Sequence, residues 1–113
     1  MKVVLFPEDG QAAVTKEIDG DLESMQALVD GDVRHMGLKN GLALLCNEDA
    51  MLLELAPNRV VPPALTGYYD PWRSTIRGPF FICREGQVDF EGLTDGDVER
   101  VYHAFGEPTA AAE

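Results

Sequence analysis

Cysteine, histidine and clustered carboxylates are the side chains through which a small chain most readily does chemistry, and here they are few. Cys46 and Cys83 lie inside apolar runs, and His35 and His103 stand apart from them. These four carry donor atoms suited to zinc, but there is no CxxC and no HxxxH spacing. A Cys–His nucleophile pair needs both groups in hydrogen-bond reach, and the spacing does not supply that. Asn47-Glu48-Asp49 offers oxygen ligands for a hard cation. The spaced acids around a glycine that a calcium loop needs are absent, and Asn with Asp fits a turn. No glycine-rich phosphate loop is present. The sequence therefore names no catalytic residue, no metal ligand and no cofactor, and it favours a binding protein over an enzyme.

Pro57-Asn58-Arg59 is a stronger candidate. An arginine can hold a carboxylate or phosphate through two parallel bonds. The same bonds can tie a loop to an acid of its own domain. Tyr68, Tyr69, Trp72 and Arg73 follow in the same segment, and Tyr, Trp and Arg are the residues that dominate interface hot spots. The rings can pin the loop to its own core or form a contact surface, including one for self-association. The expected partner-binding residues are Asn58, Arg59, Tyr68, Tyr69, Trp72 and Arg73.

Charge narrows the class of partner. The chain of 113 residues carries a net charge of −11. Residues 1–55 carry −7 and residues 80–113 carry −6, while residues 56–79 carry +2 from Arg59, Arg73 and Arg77 against Asp70. An acidic surface repels nucleic-acid phosphates and anionic membranes. A protein partner is expected, with no nucleic acid and no membrane. No apolar stretch is long enough to cross a bilayer. The apolar start before Pro7 is too short for a secretory signal and reads as a strand, so a cytoplasmic location with reduced, buried thiols is expected.

The elements that must position these residues follow from periodicity. Val3–Phe6 and Ala12–Ile18 read as strands joined at Asp9-Gly10, a hairpin signal. On the second, Val14, Lys16 and Ile18 share one face, and Thr15 and Glu17 the other. Asp21 caps a helix over about 21–30, whose Leu22, Met25, Leu28 and Val29 share one face, with Gly31 as its left-handed end. Val33–Met36 is a strand, Lys39-Asn40-Gly41 a turn, and Leu42–Cys46, apolar on both faces, a central strand. Met51–Leu55 either pairs back as a strand or forms a short helical turn. Residues 56–78, with four prolines, read as a long surface loop. Pro79–Arg84 is a strand, with Val88–Phe90 its partner or a lead-in. Thr94 and Asp97 form a capping box on a helix over about 95–105. The Asp-Gly-Asp tripeptides at 19–21, 30–32 and 95–97 are caps or turns. The expected fold is a single α+β domain over 1–106, a small mixed or antiparallel sheet with both helices on one face. Residues 107–113 are expected to be a flexible tail.

"EIDGDLESMQALVDGDV", "GLALLCNEDAMLLELAPNR", "GPFFIC" and "FEGLTDGDVERV" occur in this order. As an ordered set they resemble the domain-of-unknown-function family 3846, small proteins of bacteria, phages and mobile elements. The resemblance covers most of residues 1–106 and departs from the family at "VVPPALTGYYDPWRST", which is longer here. It implies a shared fold and a mobile-element setting, and no chemistry. The expected function is a small acidic protein-binding module of phage or mobile-element type, with masking of a basic surface of a host protein as its sharper form. The alternatives are a small-ligand site or enzyme around Asn58 and Arg59, and an accessory protein that self-associates through residues 56–78.

Overall fold

The structure, a computed structural model, describes residues 1–8 and 11–107. Its strands are β1 (Lys2–Phe6), β2 (Val14–Glu17), β3 (Val33–Gly37), β4 (Leu42–Asn47), β5 (Pro57–Val60), β6 (Thr75–Arg77), β7 (Phe80–Glu85) and β8 (Phe90–Glu91). The helices are α1 (Leu22–Val29), the single turns α2 (Pro63–Thr66) and α3 (Pro71–Ser74), and α4 (Asp95–Phe105). The main sheet runs β2-β1-β7-β4-β3, with β8 on the end of β7, and every ladder is antiparallel. The domain is α+β, as the sequence implies. The Asp9-Gly10 turn lies outside the described residues.

Side-chain parity decides what covers this sheet. Val4, Phe6, Leu42, Leu44, Cys46, Phe80 and Ile82 point to one face. Val3, Leu5, Ala43, Leu45, Phe81 and Cys83 point to the other. Helix α4 covers the first face with Val98, Val101 and Tyr102, and α1 covers the second with Met25 and Val29. The helices thus lie on opposite faces, which corrects the expectation of one shared face. The reason is in the strands: β4 and β7 are apolar on both sides, so two covers are needed. Strand β2 follows the same logic. Its Thr15 turns inward and meets Tyr102 Oη at 3.2 Å, joining β2 to α4.

The helix ends carry their expected caps. Asp21 Oδ1 accepts from Ser24 N at 2.8 Å. Thr94 Oγ1 accepts from Asp97 N, and Asp97 Oδ2 accepts from Thr94 N, closing the capping box. Asp30, not Gly31, takes the left-handed position after α1, with φ 59°. Gly31 is needed for closeness: a Cβ there would lie 2.7 Å from Asn47 Nδ2.

One region takes the second of its two sequence readings, and another differs from its reading. Met51–Leu55 is a helical turn closed by Leu53 N to Asp49 O and Leu55 N to Ala50 O. It cannot return along β4, because β3 and β7 already occupy both of that strand's edges. Residues 56–78 are not a plain loop. β5 and β6 form an antiparallel ribbon, and Pro63 and Pro71 each start a single-turn helix. Proline at a first helical position gives up no intrahelical bond, so here it starts turns rather than breaking them. Val61, Leu65 and Ile76 bury the segment on the α4 face.

Three carboxylates at the helix starts have depressed pKa values. Ser24 N–H and hydroxyl hold Asp21 below its usual range, and the Lys2 ammonium does so for Asp95. Burial works against ionised Asp97, but bonds from Thr94 and from the Arg84 guanidinium outweigh it and bring it down. Depressed folded values mean that this stability is present above the unfolded values and lost as pH falls through the folded ones. Melting followed by circular dichroism should therefore show stability falling below about pH 4. Asp97→Asn should cost about 1 kcal/mol at neutral pH, as for a lost cap, and should lose less on acidification than the wild type.

Candidate binding cleft

The ribbon and α3 lean over the β3–β4 end of the sheet and leave a cleft of about 320 Å³. Arg34 and Met36 of β3 form one wall, Trp72, Arg73 and Arg77 the other, with Cys46 and Ile76 also in the lining. Met51, on the turn after β4, closes one end. Local bonds fix the second wall. Asp70 Oδ1 accepts from Arg73 N at 3.2 Å, and Thr75 Oγ1 donates to Pro71 O at 2.5 Å, so α3 is held at both ends. That single turn leaves the Trp72 side chain in solvent, 89% exposed. Arg73 lies over the Tyr68 ring at 4.8 Å. Arg77 Nη1 donates to Leu55 O at 3.1 Å, tying the ribbon to the turn.

The electrostatics of this cleft run against the rest of the chain. Arg34, Arg73 and Arg77 pair with no carboxylate among the described residues. The lining also includes one acid, Glu48, so its formal charge is +2. Trp72 and Met51 add apolar surface at the mouth, and Leu52 and Tyr69 are also exposed, Tyr69 at 82%. Across the Met51–Leu55 turn lies a more open cleft of about 430 Å³, which has no basic side chain in its lining.

The residues singled out in the sequence divide into two groups. Tyr68, Tyr69, Trp72 and Arg73 stay together around α3, with Trp72 and Arg73 in the cleft. Asn58 and Arg59 lie outside its lining and act as struts. Asn58 is 8% exposed, and its Nδ2 donates to Phe6 O and Gly78 O. Gly78 is itself forced, with φ 73° and Leu55 Cδ1 only 2.6 Å from a Cβ placed there. Arg59 donates to Glu107 Oε1 at 2.6 Å and to Gln11 O at 2.7 Å, and its guanidinium lies over the Phe6 ring. Glu107 is therefore anchored rather than part of a loose tail; residues 108–113 lie outside the described region. Sequence reasoning missed Arg34, Met36 and Met51, which reach the cleft only through the fold. An arginine inside a short strand, between Val33 and His35 and facing the same side as Met36, was the available signal.

The cysteines lie on opposite faces of the sheet and are free. Burial pushes the Cys46 thiol up despite nearby Arg34, and pushes Cys83 up to about 12, with Glu85 and Asp89 adding to it. Among the described residues no group of three His, Cys, Asp or Glu side chains is placed to hold a metal ion. No described helix is long and apolar enough to cross a membrane.

The family model for the domain of unknown function DUF3846 matches residues 1–106. The chain belongs to this family. No curated protein and no solved structure matches it. The DUF3846 match spans both walls of the cleft and Arg59, and stops one residue short of Glu107.

Struts and cleft should separate under mutation. Asn58→Ala removes two buried hydrogen bonds, to Phe6 O and Gly78 O, and should cost about 1–3 kcal/mol in urea denaturation. Trp72→Ala removes an exposed ring and should stay within about 0.5 kcal/mol of wild type. In the native protein both thiols should react with a thiol reagent far more slowly than after denaturation, because the thiolate is the reactive form.

Proposed function

We propose that this DUF3846 protein is a protein-binding module of phage or mobile-element type whose working surface is the Trp72 cleft. One observation carries the reading: an exposed tryptophan at the mouth of a cleft that holds three arginines without carboxylate partners among the described residues. Exposed Trp beside Arg is the composition of interface hot spots. Exposed apolar surface beside polar groups marks interaction sites, and Met51 and Trp72, both exposed and both in the cleft lining, supply it. At about 320 Å³ the cleft is at the small end for a whole drug-sized ligand. It suits one or two side chains of a larger partner.

The reading draws on Tyr68, Tyr69, Trp72 and Arg73 and leaves Asn58 and Arg59 as struts whose donors are already engaged. That weighs against a small-ligand site built on those two residues. The net charge of −11 supports a partner other than nucleic acid or an anionic membrane. Masking of a basic host surface by the acidic body rests on that charge alone. A second reading has its own observation. Tyr69 and Trp72 are both exposed on one segment, so two copies could bury them against each other.

Immobilised wild type and a Trp72→Ala/Arg73→Ala variant, exposed to the same host lysate, test the first reading. Proteins retained by wild type and lost by the variant are the expected result. Equal retention overturns it. Sedimentation over a concentration series tests the second: association that Tyr69→Ala/Trp72→Ala weakens supports it, and a wild type that stays monomeric at high micromolar concentration removes it.

A further inference from the structure

Strand β3 is an edge of the main sheet, paired with β4 alone. Its register with β4, together with the bonds Glu48 N to Asp32 O and Leu38 N to Leu42 O, fixes which of its amides face inward. In an antiparallel ladder bonded pairs alternate. Arg34 and Met36 therefore bond to β4, and the N–H and C=O groups of Val33, His35 and Gly37 point away from the sheet. Those outward groups have no partner among the described residues. Two of the devices that blunt an edge are missing from it: it has no proline, and its register is continuous, without a bulge. The His35 ring is not in the way, since it turns over the α1 face to meet Glu85 Oε1 and the Phe90 ring.

The side chains of Arg34 and Met36 belong to the cleft. A strand laid along β3 would place every second side chain on their face, under the Trp72 wall. We propose that an extended acidic segment of a partner protein adds to the β3 edge as a further strand. Its alternate residues, carboxylates with an apolar side chain among them, would enter between β3 and Trp72. The inference rests on the reading of the Trp72 cleft as a protein-binding site and gives that site its partner chemistry.

Three observations meet on this occupant. The outward amides of Val33, His35 and Gly37 offer main-chain bonds, which give affinity in strand addition while pockets for alternate side chains give selectivity. Arg34, Arg73 and Arg77 call for carboxylates, each able to take a two-point bond. Met36, Met51 and Trp72 call for an apolar side chain. The acidic body opposes an acidic segment at long range. Beyond a Debye length of about 8 Å at physiological ionic strength that opposition is screened, and contact charges decide.

The test needs no change to β3. Random heptapeptides displayed on phage are selected on immobilised wild-type protein, and the enriched sequences are synthesised with a fluorophore. Each is then N-methylated at one amide at a time and titrated by fluorescence polarisation against wild type and Trp72→Ala. The expected result is enrichment of Asp or Glu with an apolar residue at alternate positions. Binding should be weakened about tenfold or more by N-methylation at alternate amides, with the intervening ones tolerated. Binding should also be weakened by Trp72→Ala. Peptides that need Trp72 but tolerate N-methylation everywhere overturn strand addition and leave the cleft reading standing. Peptides that bind equally well to Trp72→Ala overturn both. Failure to enrich any alternating acidic sequence overturns the proposed partner. A wild type found to pair through β3 with a second copy assigns the edge to self-association instead.

Discussion

Leu42–Cys46 and Phe80–Cys83 present hydrocarbon to both sides of one sheet, and each side must be kept from water. At about 25 cal/mol per Å² of apolar surface, leaving either face open would cost more than a domain of this size has in net stability. Helix α1 closes one face. Helix α4 closes only part of the other, and the ribbon of residues 57–77 completes it through Val61, Leu65 and Ile76. The cleft exists because that second cover is assembled from two pieces. Where the ribbon overhangs β3 and β4 it does not fully meet them.

The struts hold that overhang in place. Asn58 binds the ribbon to the carbonyls of Phe6 and Gly78, and Arg59 binds it to Glu107 beyond α4. Arg77 fastens its other strand to the turn after β4. Buried bonds of this kind contribute modestly when made and cost more when one partner is lost. Their placement concentrates stability behind the cleft and leaves α3, with Trp72, as the least buried part of the segment. Rigid support beneath an exposed recognition element is the arrangement that lets a small surface bind without large ordering costs.

How much of this was legible depended on the range of the interaction. Local chemistry was readable: Asp21 and Thr94 as caps, Asn40-Gly41 as the turn into β4, Leu42–Cys46 as an interior strand. These rest on contacts a few residues apart. The one-face arrangement of the helices failed because parity along Leu42–Cys46 shows that both sides are apolar but does not say which helix takes which side. Residues 56–78 read as a loop because proline counts as a breaker until the first-turn position of Pro63 and Pro71 is known. Trp72 and Arg73 were identified from composition, whereas Arg34 and Met51 join them only through long-range pairing of β3, β4 and the ribbon. Asn58 and Arg59 drew notice for the right chemical reason, their hydrogen-bonding capacity, which is directed inward.

The position of Trp72 has an optical consequence. It is the chain's only tryptophan and it stands in water in the folded state. Unfolding changes the surroundings of its indole very little, so its emission is a poor gauge of whether the domain is folded. The same emission is sensitive to whatever covers the mouth of the cleft. This protein carries a native reporter that is nearly blind to its core and tuned to its surface.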